Sequence, residues 1–103
     1  MGPYAALLTI ELHFPEAGDL KAKRKELSSI KAQLHSRLGC AVSEVEHQDL
    51  WQRATLAAAL TGGDLGVLER AVDGVGRFLD ARYPQGVHLE RTLISYEDVR
   101  GIG

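Results

Sequence analysis

Residues 40–61 read CAVSEVEHQDLWQRATLAAALT, and the fold turns on whether they form one helix or two strands. The Ala-rich second half alone would suit a helix. The pattern of residues 51–61 argues for a strand instead. Ala54, Leu56, Ala58 and Leu60 fall on one face, while Trp51, Arg53, Thr55, Ala57 and Ala59 fall on the other. In residues 40–47 the alternation is looser, because Val42 and Val45 take opposite faces. A bulge or an edge position accommodates that. The short gap between the two runs then predicts a hairpin, with strands over 40–47 and 51–61.

The flanks fit this hairpin. Residues 4–14, YAALLTIELHF, alternate Leu8, Ile10, Leu12 and Phe14 against Leu7, Thr9, Glu11 and His13, which predicts a strand. Pro15 and Gly18 then break the chain. Residues 19–38 carry a helical stripe of Leu20, Leu27, Ile30, Leu34 and Leu38, with Asp19 as N-cap and Gly39 just past the end. Residues 65–83 carry a second stripe, Leu65, Leu68, Val72, Val75 and Leu79, capped by Asp64. Gly66, Gly74 and Gly76 interrupt that helix, and close contact with the sheet would be a reason to keep them. Residues 87–95, VHLERTLIS, predict a fourth strand, and residues 96–103 a loose tail.

The order is βαββαβ within a single domain of 103 residues. The common solution is a ferredoxin-like α+β sandwich, a four-stranded antiparallel sheet with both helices on one face. In that topology His13, Lys21, Lys23, Arg24, His47, Gln48, Asp49, Trp51, Gln52, Arg53 and His88 gather at one rim of the sheet. Lys21, Lys23, Arg24 and Lys25 stand where cations oppose the helix macrodipole. Cations beside free backbone N–H groups are what an anion site uses; the plainer alternative is a solvated charged face.

Composition narrows the classes. The chain is 45% hydrophobic and 25% charged, as an ordinary globule is. Its net charge of −2 counts against a dedicated duplex binder, so no DNA partner is expected. The N-terminal apolar run lacks a basic region, and Glu11 interrupts it, so neither a signal peptide nor a membrane partner is expected. Cys40 is the only cysteine, which fits a cytoplasmic location. The absence of Asn suits a thermophile, and equally a GC-rich genome.

The stretches TIELHFPEAGDLKAKRKELSSIKAQL and VSEVEHQDLWQRATLAAAL resemble the YlxP-like family of small bacterial proteins, from about Tyr4 to Ile94. The shared marks are the LKAKR helix start and the EVEHQDLWQRA turn. The resemblance implies a ferredoxin-like fold and no established activity. Genes of the family often lie beside those for translation initiation and ribosome-binding factors, which implies ribosome or RNA work by association.

Each candidate residue has a functional and a structural reading. Trp51 either stacks a base or anchors a partner, or it plugs the sheet end against Phe14 or the helices. Arg53 and Asp49 either clamp phosphate or pair with each other. His13, His47 and His88 match no metal-ligand spacing, so neither metal nor cofactor is expected. No evident nucleophile accompanies them, which leans away from an enzyme. The ribonucleoprotein pattern of Gly and paired aromatics is missing from the strands, so base stacking across the sheet is not expected. A face of Ala, Thr and Leu suits another protein surface better, including a homodimer. The favoured reading is an accessory protein that binds RNA or a ribosomal partner through the rim. Lys21, Lys23, Arg24 and Arg53 would take phosphate, and Trp51 and His47 would make stacking or polar contacts. His13 and Asp49 complete the candidate set. A self-associating module, and a phosphate or small-ligand site at the same rim, are the alternatives.

Overall fold

A computed structural model describes residues 2–84 and 86–102. Its elements are β1 (Tyr4–His13), α1 (Leu20–Leu38), β2 (Ala41–Glu46), β3 (Arg53–Gly62), α2 (Leu65–Arg82), β4 (Val87–Ser95) and α3 (Tyr96–Ile102). The four strands form one sheet in the order β2-β3-β1-β4. Every neighbouring pair is antiparallel. This is the ferredoxin-like α+β arrangement, with α3 added after β4. No helix among the described residues is long and apolar enough to cross a membrane.

The strand alternation works as its period demands. Ala6, Leu8, Ile10, Leu12 and Phe14 of the first strand and its extension are buried, as are Ala54, Leu56, Ala58 and Leu60 of β3. They meet Leu27, Ile30 and Leu34 of α1 and Leu68, Val72, Val75 and Leu79 of α2. Fully burying each large aliphatic side chain contributes about 1.5–3 kcal/mol. Cys40 completes this core, and burial pushes its thiol up.

Local signals set the boundaries. Asp19 and Asp64 accept backbone N–H bonds from Ala22 (2.8 Å) and Val67 (2.9 Å), holding the starts of α1 and α2. Gly39 ends α1 at φ 72°, where a Cβ would be strained. The hairpin is real, and a register shift between Glu44 and Glu46 absorbs the imperfect alternation of the edge strand β2.

Three details depart from the sequence reading. Thr55, on the outward face, is buried between Glu11 and Glu46 in the register. The α2 glycines do not serve close helix–sheet contact: a Cβ at Gly76 would meet nothing within 4 Å, and one at Gly74 only the Arg77 guanidinium at 3.7 Å. The chain end forms a helix where a loose tail is expected. Ser95 and Asp98 cap α3 reciprocally, with Asp98 N–H donating to Ser95 Oγ (3.0 Å) and Ser95 N–H to Asp98 Oδ2 (3.1 Å). Those bonds hold the Asp98 carboxyl below the usual carboxylate range. Tyr96 N–H then donates to the Pro3 carbonyl at 2.9 Å, tying α3 to the start of β1.

Candidate functional site

The rim forms where β1 ends and β3 and β4 begin. His13 lies opposite Arg53 in the register. His13 N–H donates to the Gly86 carbonyl (3.0 Å), and Phe14 N–H to the Gln52 carbonyl (2.8 Å). The last residues of β1 are therefore stitched to the β2–β3 turn on one side and to the α2–β4 connection on the other. Gly86 suits this closeness, since a Cβ there would lie 3.2 Å from His13 Cβ.

The β2–β3 turn has an unusual backbone. His47 sits at φ 65°, in the left-handed region, which costs a residue with a Cβ roughly 1–2 kcal/mol. Its carbonyl accepts from Leu50 N–H at 3.1 Å and from Lys23 Nζ at 2.5 Å. Lys23 Nζ also lies 3.1 Å from Glu44 Oε2. Lys23 is only 1% exposed.

Lys23 therefore changes role. The sequence reading places it among exposed phosphate ligands, whereas its ammonium is buried and committed to a carbonyl and a carboxylate. Burying a cation in this way is tolerated because both partners compensate for the lost water. Its neighbours differ. Lys21 and Arg24 are exposed, and Lys21 lies about 160° around the helix from Lys23.

Trp51 also differs from its commoner fate. It is 49% exposed and Leu50 beside it is 47% exposed. Phe14 takes no Trp partner; it packs edge-on against Tyr83, with centroids 5.9 Å apart. A shallow groove of about 290 Å³ runs between His13, Asp49, Leu50, Trp51, Gln52 and Arg53. A wider one of about 500 Å³, lined by Glu11, His13, Arg53, Val87 and His88 among others, adjoins it through His13 and Arg53. The structure thus brings together His13, Asp49, Trp51 and Arg53 in one groove, with His88 beside it. His47 lies at the turn above Lys23, and Lys21 and Arg24 line neither groove. Asp49 and Arg53 form no ion pair. Among the described residues, no three His, Cys, Asp or Glu side chains gather as a metal site.

A second polar cluster on this rim was not singled out from the sequence. Glu26 Oε1 accepts from Tyr83 OH at 2.6 Å and from Arg82 Nη2 at 3.0 Å. Arg82 Nη1 donates to Gln33 Oε1 at 3.3 Å, and its guanidinium lies 5.8 Å from the centre of the Tyr83 ring. The Tyr83 hydroxyl, helped by Arg82, holds the Glu26 carboxyl below its usual value. Burial, with the Glu26 carboxylate beside it, pushes Tyr83 up to about 12. No local spacing announces this cluster, since Glu26 and Tyr83 stand 57 residues apart. Only the packing of α1 against α2 joins them.

The rim and the turn lie within the part of the chain that a known family matches. Residues 5–92 match the family model described as a protein of unknown function, DUF503. The chain belongs to the DUF503 family. A member from Bacillus subtilis (strain 168), named "Uncharacterized protein YlxP", is 30% identical over 82 residues, which cover 80% of this chain and 85% of that one. The matched DUF503 span holds the buried core residues of β1 and β3 and every rim residue named above, and it ends before α3.

Proposed function

We propose that this DUF503 protein is a non-enzymatic accessory protein that binds single-stranded RNA, in the setting of the ribosome, through the rim. The observation that carries the reading is Trp51, half exposed in a groove beside an unpaired Arg53. A base stacked on an aromatic side chain is worth about 1–3 kcal/mol, and stacking tolerates any base. Among the described residues, Lys21, Arg24, Lys25 and Arg53 have no carboxylate within 4.0 Å, whereas Lys23, Arg82 and Arg91 are paired. Unpaired cations remain available to phosphate. In this reading Trp51 stacks, Arg53 takes the adjoining phosphate, His13 and His88 make polar contacts along the wider groove, and Lys21 and Arg24 contribute from the flank. Lys23 does not belong to the contact set. A cytoplasmic setting is part of the proposal, supported by a single buried cysteine with no disulfide partner.

The test uses the chain's only Trp as its reporter. Single-stranded RNA titrated into the protein should quench Trp51 fluorescence, with an affinity that falls as salt rises. Arg53→Ala should lower the salt slope by roughly 0.7. Unchanged Trp51 emission at saturating RNA, together with no ribosome co-sedimentation at low salt, would refute the reading.

The outward sheet face supports a second reading, self-association. Its rows run Ala41, Ala59, Leu7, Thr92 and Ser43, Ala57, Thr9, Glu90, and Leu7 is 53% exposed. Small side chains in register make a flat surface that a second copy could cover. Ala57→Glu should then convert a dimer to a monomer by sedimentation equilibrium; a wild-type protein that stays monomeric at high concentration excludes this reading.

A further inference from the structure

We infer that Lys23 is a positioning residue, a buried peg from α1 that sets the β2–β3 turn and thereby the presentation of Trp51. The proposal goes beyond the RNA reading, because it concerns the conformation of the turn whatever the ligand is. Only its consequence for affinity rests on that reading.

Trp51 stands between two anchors. On its C-terminal side the Gln52 carbonyl accepts from Phe14 N–H at 2.8 Å, which joins the turn to the end of β1. On its N-terminal side the His47 carbonyl is the fixed point, and it takes two donors, Leu50 N–H from within the turn and Lys23 Nζ from α1. Among the described residues, the link from this carbonyl to an element outside the sheet is therefore a side chain that is almost wholly shielded from water. Two features make that link necessary. His47 holds a positive φ that its own Cβ disfavours, so the turn does not keep this shape unaided. The preceding strand β2 is an edge strand with a register shift between Glu44 and Glu46, so its end is weakly held by the ladder. Lys23 answers both at once: its Nζ bridges the His47 carbonyl and the Glu44 carboxylate, spanning the bulge.

The groups facing this ammonium are of one kind. Glu44 Oε2 is 3.1 Å away, and the His47 ring nitrogen Nε2 is beside Glu46 Oε2 at 3.8 Å. A cation in this slot thus meets a carboxylate and a carbonyl oxygen. An apolar side chain of similar length would leave the Glu44 carboxylate without its cation and the His47 carbonyl with Leu50 N–H alone.

The experiment compares wild type with Lys23→Met and Glu44→Gln, following Trp51 fluorescence anisotropy and the hydrogen exchange of the Leu50 amide. Far-UV circular dichroism reports whether each variant remains folded. Lys23→Met keeps the length of the stem and removes the ammonium. It should lower Trp51 anisotropy and speed Leu50 exchange by roughly tenfold, while core amides of β1 and β3 stay protected. Glu44→Gln keeps the Lys23–His47 bond and should give a smaller change in the same direction. It remains decisive if Lys23→Met does not fold. Anisotropy and Leu50 exchange unchanged from wild type in a folded variant would overturn the proposal. The RNA reading is separable: a turn that loosens in both variants of a protein that binds no RNA leaves the positioning role intact and removes the ligand. Weaker RNA binding in Trp51→Ala with a turn indifferent to Lys23→Met does the opposite.

Discussion

Two polar clusters share one rim of this protein and differ in how completely they satisfy themselves. In the Glu26–Arg82–Tyr83 cluster every charged or hydroxyl group has a partner within the chain. In the neighbouring groove, Arg53 meets no carboxylate and Trp51 leaves about half its surface in water. The first arrangement joins α1 to α2 and has little left to offer a ligand. The second gives little to stability and keeps its interactions available. Lys23 marks the boundary, since it stands among the cations of the α1 start and yet behaves like a member of the closed cluster.

That contrast can be broken by substitution. Glu26→Ala removes the acceptor that Arg82 and the Tyr83 hydroxyl share and, discounted for the partial exposure of Glu26, should cost about 2 kcal/mol, measured by urea unfolding. Trp51→Ala should reverse the pattern. It should weaken RNA binding by about 1–3 kcal/mol in titration and leave stability within about 0.5 kcal/mol of wild type. If Trp51→Ala destabilised the protein as much as Glu26→Ala, the groove would be structural too.

Smaller effects sharpen the picture. Tyr83→Phe removes one bond to a carboxylate and should cost about 1.5 kcal/mol at neutral pH. The pH dependence carries two opposite signs. Glu26 has its pKa lowered from 4.5, so its contribution is in place above pH 4.5 and is lost as pH falls through the folded value. Tyr83 has its pKa raised from 10.0 to about 12, so its contribution is complete below pH 10 and is lost as pH climbs toward 12. Unfolding curves across both windows should fall at each end, and Tyr83→Phe should flatten the alkaline limb. The smallest effect is a gain. Gly76→Ala meets open space and should stabilise α2 by up to about 1 kcal/mol, raising Tm by a few degrees.

Much of the fold was legible because its signals are local. The alternation of Leu8, Ile10 and Leu12 has the period of a strand, and the caps at Asp19 and Asp64 lie beside the helices they start. Even the bulge of β2 showed as a mismatch between Val42 and Val45. The helix α3 was legible in principle, since SYED at residues 95–98 is a capping-box pattern, but seven residues carry too short a stripe to stand out. The site was legible only in outline. Topology brought His13, Asp49, Trp51 and Arg53 together as expected, yet Lys23 and Trp51 exchanged the environments their types suggest.

By itself the sequence determined the order of elements, the face each strand buries and the rim at which the polar residues meet. These follow from side-chain periodicity and from caps that act within a few residues. Only the tertiary structure decided which polar groups are spent on one another. Burial and pairing depend on what a neighbouring element presents across the gap. Stripe spacing puts Lys23, four residues before Leu27, on the inward face of α1 and Lys21 off it, but it does not supply the acceptors that a buried ammonium needs. The Glu44 carboxylate and the His47 carbonyl are those acceptors, because they lie where an inward-facing ammonium can reach them.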